Sequence, residues 1–211
     1  MNQDWLQKII NTPELLEMGH GQTSKDNNLG MGWIYYALSR LYKPENVICI
    51  GSWRGFVPMM FAMGIKDNLS NGRVTFIDPS FVDNHWSDKN KVQSWFNNYD
   101  LNNIDHYMTT TQEFMNLDKY KELSKVDILF IDGMHTKEQA KFDYESFEHL
   151  LDNKSIVLFH DSMSNFKSII YGEDKSYNYT VFEYVNILKE RKDLQVIDLP
   201  FEFGLTLVRK I

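Results

Sequence analysis

Two short apolar runs of this sequence end in acidic and imidazole side chains that could take part in chemistry. Asp132 ends the first run, and His135 follows three residues later. His160 and Asp161 together end the second run. Apolar runs that stop abruptly at polar residues are typical of buried parallel strands. Because open α/β sheets bind ligands at the carboxyl ends of their strands, we expect these four side chains to share one site.

The residue types at this edge suit metal binding and proton transfer. Two carboxylates and an imidazole can hold a divalent cation, so Asp132, His160 and Asp161 are the candidate metal ligands. Carboxylate oxygens favour Mg²⁺ or Mn²⁺, and an imidazole also tolerates softer metals. His135, with Asp132 beside it, is the candidate catalytic base, because histidine titrates near neutral pH. The alternative is that these residues only cap neighbouring helices and loops, and that His135 is a solvated loop side chain.

A glycine-containing turn forms a second candidate site. It runs from Gly51 through Ser52 to Gly55, between a predicted strand and a predicted helix. Glycines let the backbone turn sharply and approach a ligand, and the helix start offers unpaired N–H groups. Asp78 ends the next predicted strand, where an acid can accept hydrogen bonds from ribose hydroxyls. Each feature alone fits an ordinary turn, but together they predict an adenosine-containing cofactor, although neither dinucleotide-type nor phosphate-loop glycine spacing is present.

The rest of the sequence predicts the elements that position these residues. Strands are predicted at residues 47–50, 74–77, 106–108, 127–131, 155–159, 194–199 and 203–208. Helices are predicted at residues 5–18 with a break near 12–14, 33–41, 56–63 ending at Gly64, 91–97, 112–120, 181–191, and after a capping box at 136–139. Strands that alternate with helices predict a three-layer α/β domain with a mostly parallel sheet. The polar loop at residues 162–179 is expected to be a mobile lid at the carboxyl edge.

Composition limits the classes of protein that fit. At 211 residues the chain suits a single domain, and its 43% apolar content predicts a folded rather than a disordered protein. The net charge of −7 argues against a nucleic-acid partner, and no stretch approaches the roughly 20 apolar residues of a membrane span. The single cysteine, Cys49, fits a reduced core residue, and the polar amino terminus does not resemble a signal peptide. We therefore expect a cytoplasmic protein that acts on a small molecule.

The two strand-end motifs resemble those of a known enzyme family. The segments IDGMHT (residues 131–136) and VLFHD (residues 157–161) resemble motifs of class I S-adenosylmethionine-dependent methyltransferases. More narrowly, they resemble small O-methyltransferases related to macrolide-sugar, rhamnosyl and cephalosporin-cluster enzymes. The resemblance covers about residues 21–210. It implies a Rossmann-like methyltransferase fold with a seven-stranded, mostly parallel sheet and an antiparallel last strand, preceded by a helical extension at residues 1–42 within one domain of residues 1–211.

The resemblance also assigns roles to individual positions of this sequence. The resemblance implies that Gly51, Ser52 and Gly55 contact the methionine end of the cofactor and that Asp78 contacts the ribose. It places Thr111 and Gln112 at the adenine, and Asp132 is a further cofactor position. In the metal-dependent sugar enzymes, the positions matching Asp132, His160 and Asp161 are metal ligands, and the position matching His135 is the proposed base.

Two positions depart from the family pattern. The family usually has an acid where this chain has Cys49, which removes a hydrogen-bond acceptor beneath the cofactor turn. Metal-dependent relatives have a carboxylate where this chain has His160, which removes one negative charge from the expected cation site.

The sequence thus predicts transfer of the methyl group of S-adenosylmethionine to a hydroxyl of a sugar or related small metabolite, assisted by Mg²⁺ or Mn²⁺. A homo-oligomer is compatible with this prediction. Two alternatives stay open at this point. One is a nucleotide- or NAD-binding enzyme on a similar sheet, and the other is a catalytically silent module that binds the cofactor.

Overall fold

The computed structural model describes residues 1–16 and 19–211. The predicted end of the first helix, Met18, lies outside the described residues. Strands of the described residues, in chain order, are β1 (Asn46–Ile50), β2 (Arg73–Ile77), β3 (Ile104–Tyr107), β4 (Ile128–Ile131), β5 (Ile156–His160), β6 (Lys167–Ser168), β7 (Tyr177–Asn178), β8 (Leu194–Leu199) and β9 (Leu205–Lys210). Helices are α1 (Gln3–Ile10), α2 (Pro13–Leu16), α3 (Gly32–Tyr42), α4 (Phe56–Asp67), α5 (Lys89–Asn97), α6 (Thr111–Phe114), α7 (Asp118–Lys121), α8 (Lys137–Glu148) and α9 (Val181–Lys189).

Seven of the strands form one sheet in the order β3-β2-β1-β4-β5-β9-β8. Strands β1 to β5 pair in parallel, whereas β9 runs antiparallel to both β5 and β8. This arrangement confirms the predicted three-layer α/β class, the mostly parallel sheet and the antiparallel last strand. The strand order reverses between β1 and β4, which places a ligand-binding crevice at their carboxyl ends.

Apolar side chains on alternate strand positions fill two cores, one on each face of the sheet. Val47 and Cys49 of β1 point into the core beneath α1 to α5, and Ile48 and Ile50 point into the core beneath α6, α8 and α9. Because both faces are covered, the central strands are continuous apolar runs. Trp5 of α1 belongs to the first core, so the amino-terminal helices pack on the same core as the sheet. In the described part of the chain, no helix is both long and apolar enough to cross a membrane.

Several predicted boundaries were wrong, each for a physical reason. Helix α4 continues through Gly64 to Asp67, because Gly64 is a packing contact with α3 rather than a helix end. The third strand begins at Ile104, two residues earlier than predicted, and the last strand begins at Leu205. The predicted helix at residues 112–120 is two short helices, α6 and α7. Half of the predicted capping box forms, since Thr136 accepts from the Gln139 backbone while the Gln139 side chain turns elsewhere.

Candidate active site

A cleft of about 370 Å³ lies at the carboxyl ends of the parallel strands. Its walls come from the segments that follow β1, β2, β3, β4 and β5, together with the hairpin of β6 and β7. The predicted site residues that line it are Gly51, Ser52, Asp78, Thr111, Gln112, Asp132, His135, His160 and Asp161. The two predicted sites, one for the cofactor and one for the chemistry, therefore lie in the same cavity.

The turn after β1 requires glycine at its first position. Gly51 has a φ of +72°, and a Cβ there would lie 2.1 Å from the backbone oxygen of Asp132. The backbone can pass this close to the end of β4 only without a side chain. Ser52 is buried, and its hydroxyl accepts from the backbone N–H of Val57 at 3.2 Å, which caps the start of α4. Gly55 lies behind the turn, where a Cβ would press on Phe96, rather than at the cleft.

Asp78 stands at the end of β2, on the wall of the cleft beside this turn. Its Oδ1 accepts from the backbone N–H of Ser80 at 2.8 Å. Burial raises the pKa of Asp78 to about 6, although backbone hydrogen bonds from Ser80 and Ser52 oppose the shift. A half-enclosed carboxylate with remaining acceptor capacity suits a pair of ribose hydroxyls.

The strand ends of β4 and β5 bring four polar side chains into a tight cluster, namely Asp132, His135, His160 and Asp161. Their candidate ligand atoms all lie within 4.8 Å of one another. Asp132 Oδ1 is shared by the two imidazoles, at 3.0 Å from His135 Nε2 and 2.8 Å from His160 Nδ1. Asp161 Oδ2 lies 3.2 Å from His135 Nε2, and Asp161 adopts a left-handed φ of +52°. Such strain in a side-chain-bearing residue is common at functional sites.

Electrostatics within the cluster stabilise opposite charges. Burial by itself would disfavour the charged form of His160, but Asp132 and Asp161 attract a proton strongly enough to raise its pKa to about 9. Burial likewise opposes ionisation of Asp132, yet the neighbouring His160 and His135 hold its pKa well below the usual range. The pKa of Asp161 is raised, mainly by burial. The cluster thus pairs a protonated His160 with an ionised Asp132 in the protein interior.

The donor set of the cluster fits a divalent cation. The candidate ligand atoms of two carboxylates and two imidazoles lie within 4.8 Å of one another, and such a mixed oxygen and nitrogen set suits Mg²⁺, Mn²⁺ or a softer transition metal. His160 would release its proton on binding the cation, because a metal ligand must be deprotonated. Asp161 Oδ1 and His135 Nδ1 are buried and lack a hydrogen-bond partner among the described residues. Buried polar atoms without a partner are uncommon and often mark the place of a further ligand.

One residue of this region was missed in the sequence. His20 is fully buried, with its ring 4.2 Å from that of His160. Its Nδ1 lies 3.2 Å from the hydroxyl of Tyr35, and burial together with the His160 charge lowers its pKa. Gly30 helps to fix this placement. It has a left-handed φ, and a Cβ at Gly30 would lie 2.0 Å from the backbone oxygen of His20, so only glycine lets the two backbone segments lie this close.

The segment at residues 162–179 covers the cluster from the solvent side. It lies at the carboxyl edge, as predicted, and contains the β6–β7 hairpin instead of irregular loop. Tyr179 stacks on His135 with ring centroids 4.2 Å apart and an interplanar angle of 15°. Tyr177 stacks on Tyr179, and Phe166 also packs against Tyr179. The hairpin therefore forms an aromatic wall that shields the candidate base.

Comparisons with known proteins agree with this architecture. A family model described as "Methyltransferase domain" matches residues 48–162, which is more than half of the chain. No curated protein matches the sequence at a significant level.

The fold of this chain is similar to those of several solved structures. An O-methyltransferase from Bacillus cereus in complex with SAH has a TM-score of 0.69 at 13% identity, over 100% of this chain and 92% of that chain. The O-methyltransferase TomG from Streptomyces achromogenes, in complex with SAM, has a TM-score of 0.66 at 13% identity, over 100% and 91%. A putative caffeoyl-CoA O-methyltransferase from Staphylococcus aureus has a TM-score of 0.64 at 18% identity, over 86% and 83%.

At these identities the solved structures establish the fold, and the family model establishes the relationship. The matched residues run from β1 to the end of the second strand-end motif, so they include the glycine turn, Asp78 and the whole polar cluster. The predicted methyltransferase resemblance is confirmed, and this chain belongs to the methyltransferase-domain family.

Proposed function

We propose that this protein transfers the methyl group of S-adenosylmethionine to a hydroxyl oxygen of a sugar or related small metabolite. In this proposal the cofactor occupies the part of the cleft between the glycine turn, Asp78 and Thr111. The polar cluster serves the acceptor, with a divalent cation at Asp132, His160 and Asp161. Family membership favours this over a nucleotide- or NAD-dependent reaction, for which the sequence lacks the usual glycine spacing.

The observation that carries the proposal is the placement of His135. Its Nε2 lies 3.0 Å from Asp132 Oδ1 and 3.2 Å from Asp161 Oδ2, on the same cleft that Gly51 and Asp78 line. Carboxylates fix the orientation of an imidazole and stabilise its protonated form. When Nε2 donates to Asp132, Nδ1 is left without a proton and without a partner among the described residues. In this proposal His135 is an oriented base, and its buried Nδ1 is the nitrogen that accepts the hydroxyl proton.

The proposed reaction needs little from the protein beyond positioning and proton removal. The acceptor oxygen forms a bond to the methyl carbon as the carbon–sulfur bond of the sulfonium breaks, and the electron pair of that bond stays on sulfur. His135 takes the hydroxyl proton, so the products are the methyl ether, S-adenosylhomocysteine and one proton held by the imidazole. A divalent cation bound by the cluster would supply Lewis-acid polarisation of the hydroxyl. Asp132 would then both orient His135 and offset the new positive charge.

The acceptor wall favours a small molecule with an apolar face as well as a hydroxyl. Tyr177 and Tyr179 of the hairpin line the cleft together with Phe166 and Phe203. Aromatic rings pack on the apolar faces of bound molecules while their hydroxyls keep hydrogen-bonding capacity. One face of a deoxygenated or methylated sugar ring meets this description.

Chelation tests the metal part of the proposal. A panel of hydroxylated sugars and related metabolites is first screened for the methyl acceptor. Protein stripped of metal should then fail to methylate that acceptor. Activity should return with Mg²⁺ or Mn²⁺, and Asp161→Ala should behave like the stripped wild-type protein even with metal added. Full-rate turnover by a metal-stripped preparation would remove the cation from the mechanism and leave His135 and Asp132 as the working pair.

A further inference from the structure

Two backbone carbonyls of the glycine turn, those of Trp53 and Arg54, cannot be satisfied by the helix that follows the turn. The donor four residues after Arg54 would be Pro58, which has no N–H. The donor four residues after Trp53 is Val57, whose N–H is already bonded to the Ser52 hydroxyl at 3.2 Å. Backbone carbonyls that are shielded from water need a partner, so these two must find donors elsewhere.

Two tryptophans of the segment after β2 supply these donors. The indole N–H of Trp86 donates to the Trp53 carbonyl at 2.7 Å. The indole N–H of Trp95 donates to the Arg54 carbonyl at 3.0 Å. The Arg54 guanidinium adds an ion pair with Asp83 of the same segment at 2.6 Å. The segment after β2 thus binds two successive peptide groups of the turn.

These bonds hold the turn in a backbone conformation that its side chains disfavour. Trp53 has a φ of +39°, in the left-handed region that residues other than glycine rarely adopt. Such a conformation persists only where the surrounding structure enforces it. Because a peptide group is planar, a donor that fixes its carbonyl also fixes the N–H of the next residue. The two indoles therefore set the path of the turn along the cleft, where Ser52 and Trp53 line the wall.

We propose that Trp86 and Trp95 are positioning residues, whose indole N–H groups hold the glycine turn in the conformation that binds S-adenosylmethionine. The inference rests on the proposed function, in which the cofactor lies against this turn. Trp95 is not among the described residues that line the cleft, so it acts through the Arg54 carbonyl. Trp86 does line the cleft, but its single N–H is bonded to the Trp53 carbonyl and is not available to a ligand.

Calorimetry with S-adenosylhomocysteine on a matched pair of variants tests the role of Trp95. Trp95→Phe keeps an aromatic ring and removes the donor to the Arg54 carbonyl. It should bind the ligand roughly 3- to 10-fold more weakly, the range for loss of one neutral hydrogen bond. The matched control is Trp5→Phe, because the Trp5 indole also donates to a backbone carbonyl, that of Tyr99 at 2.9 Å, and lies outside the cleft. Trp5→Phe should keep wild-type affinity, although unfolding in urea should show both variants to be less stable than wild type.

A replacement that preserves shape covers the case in which Trp95→Phe does not fold. Benzothienylalanine has the size and shape of tryptophan, with sulfur in place of the indole N–H. In place of Trp95 it should weaken binding as Trp95→Phe does. In place of Trp86 it should also weaken binding, while an aromatic ring of the same shape stays at the cleft wall. In place of Trp5 it should leave the affinity unchanged.

The outcomes separate the positioning role from the cofactor assignment. Wild-type affinity in folded protein with benzothienylalanine in place of Trp95 or Trp86 would remove that tryptophan from the proposed role. Equal weakening by Trp5→Phe and Trp95→Phe would show a general loosening of the packing instead of control of the turn. In these cases S-adenosylhomocysteine still binds, so the cofactor assignment stands. If wild-type protein does not bind S-adenosylhomocysteine, the proposed methyl donor is wrong, and the positioning role fails with it.

Discussion

At the scale of single residues, the Asp132 carboxylate is the centre of the site. One oxygen contacts both His135 and His160, so Asp132 couples the candidate base to the second imidazole. We expect His135→Ala to lower turnover by ~10²–10⁴-fold, because proton removal from the acceptor would lose its base. Affinity for S-adenosylhomocysteine should stay close to wild type, since the proton transfer occurs on the acceptor side.

The matched control for this substitution is His149→Ala, at the end of α8 and outside the cleft, which should turn over normally. Steady-state rates and calorimetry on both variants separate a chemical defect from a binding defect. Near-normal turnover by His135→Ala would show that His135 is not the catalytic base.

Asp78 should make cofactor affinity depend on pH. Its pKa is raised to about 6, mainly by burial, so the charged acceptor is present above that pH and is lost as pH falls through it. S-adenosylhomocysteine should therefore bind with constant affinity above about pH 7 and progressively more weakly below pH 6. Asp78→Ala should weaken binding at pH 7.5 by roughly 1.5–3 kcal/mol and should lose the further weakening below pH 6. If folded Asp78→Ala binds S-adenosylhomocysteine as tightly as wild type does, Asp78 does not contact the ribose.

The sequence predicted some site residues and not others, for reasons that the contacts explain. Asp132 and Asp161 could be placed together because strand ends meet at one sheet edge, whatever the loops do. His20 could not, because it comes from a polar loop without periodicity. Asp143 of α8, which is buried and lines the cleft, was also missed, since an acid on a helix is usually solvated, and its burial depends on how α8 sits on the sheet.

At the scale of elements, the contact between α3 and α4 sets how closely the helices cover the sheet. Gly64 lies in the middle of this contact, where a Cβ would be 2.4 Å from Ser39 Cβ and 2.8 Å from the Tyr36 carbonyl oxygen. Alanine favours a helix over glycine by about 1 kcal/mol, but forcing a methyl group into a packed contact costs about 1–3 kcal/mol. Since both neighbours would have to move, the packing cost should prevail.

We therefore expect Gly64→Ala to lower the free energy of unfolding by about 2 kcal/mol, the upper end of the packing cost less the helix preference of alanine, measured in urea. In a Ser39→Gly background the same change should cost less, because one of the two neighbours is gone. A Gly64→Ala protein as stable as wild type would mean that α3 and α4 are not held at this distance.

Element types were easier to predict than element ends. Strands β1, β2, β4 and β5 are apolar runs bounded by polar residues, and their pairing follows from burial on both faces. The ends of α4 and β3 depend on partners distant in sequence, such as Ser39 against Gly64. The hairpin at residues 167–178 has strands of two residues each, too short for any alternation to be visible.

At the scale of the whole molecule, the sheet divides the tasks of the cleft along one edge. The segments after β1, β2 and β3 supply the glycine turn, Asp78 and Gln112, and those after β4 and β5 supply the polar cluster. The amino-terminal helices share the first core with the sheet. A single domain of residues 1–211 stays a prediction. The sequence is compatible with a homo-oligomer, and sedimentation equilibrium would test whether one forms.

A crystal structure with S-adenosylhomocysteine bound tests the central claim most directly. The account predicts the ribose hydroxyls on Asp78, the purine on the wall of Thr111 and Gln112, and the sulfur facing His135 and Asp132 across the cleft. A ligand bound in the reverse direction, or with its sulfur turned away from His135, would contradict the assignment of cofactor and acceptor sides to this cleft.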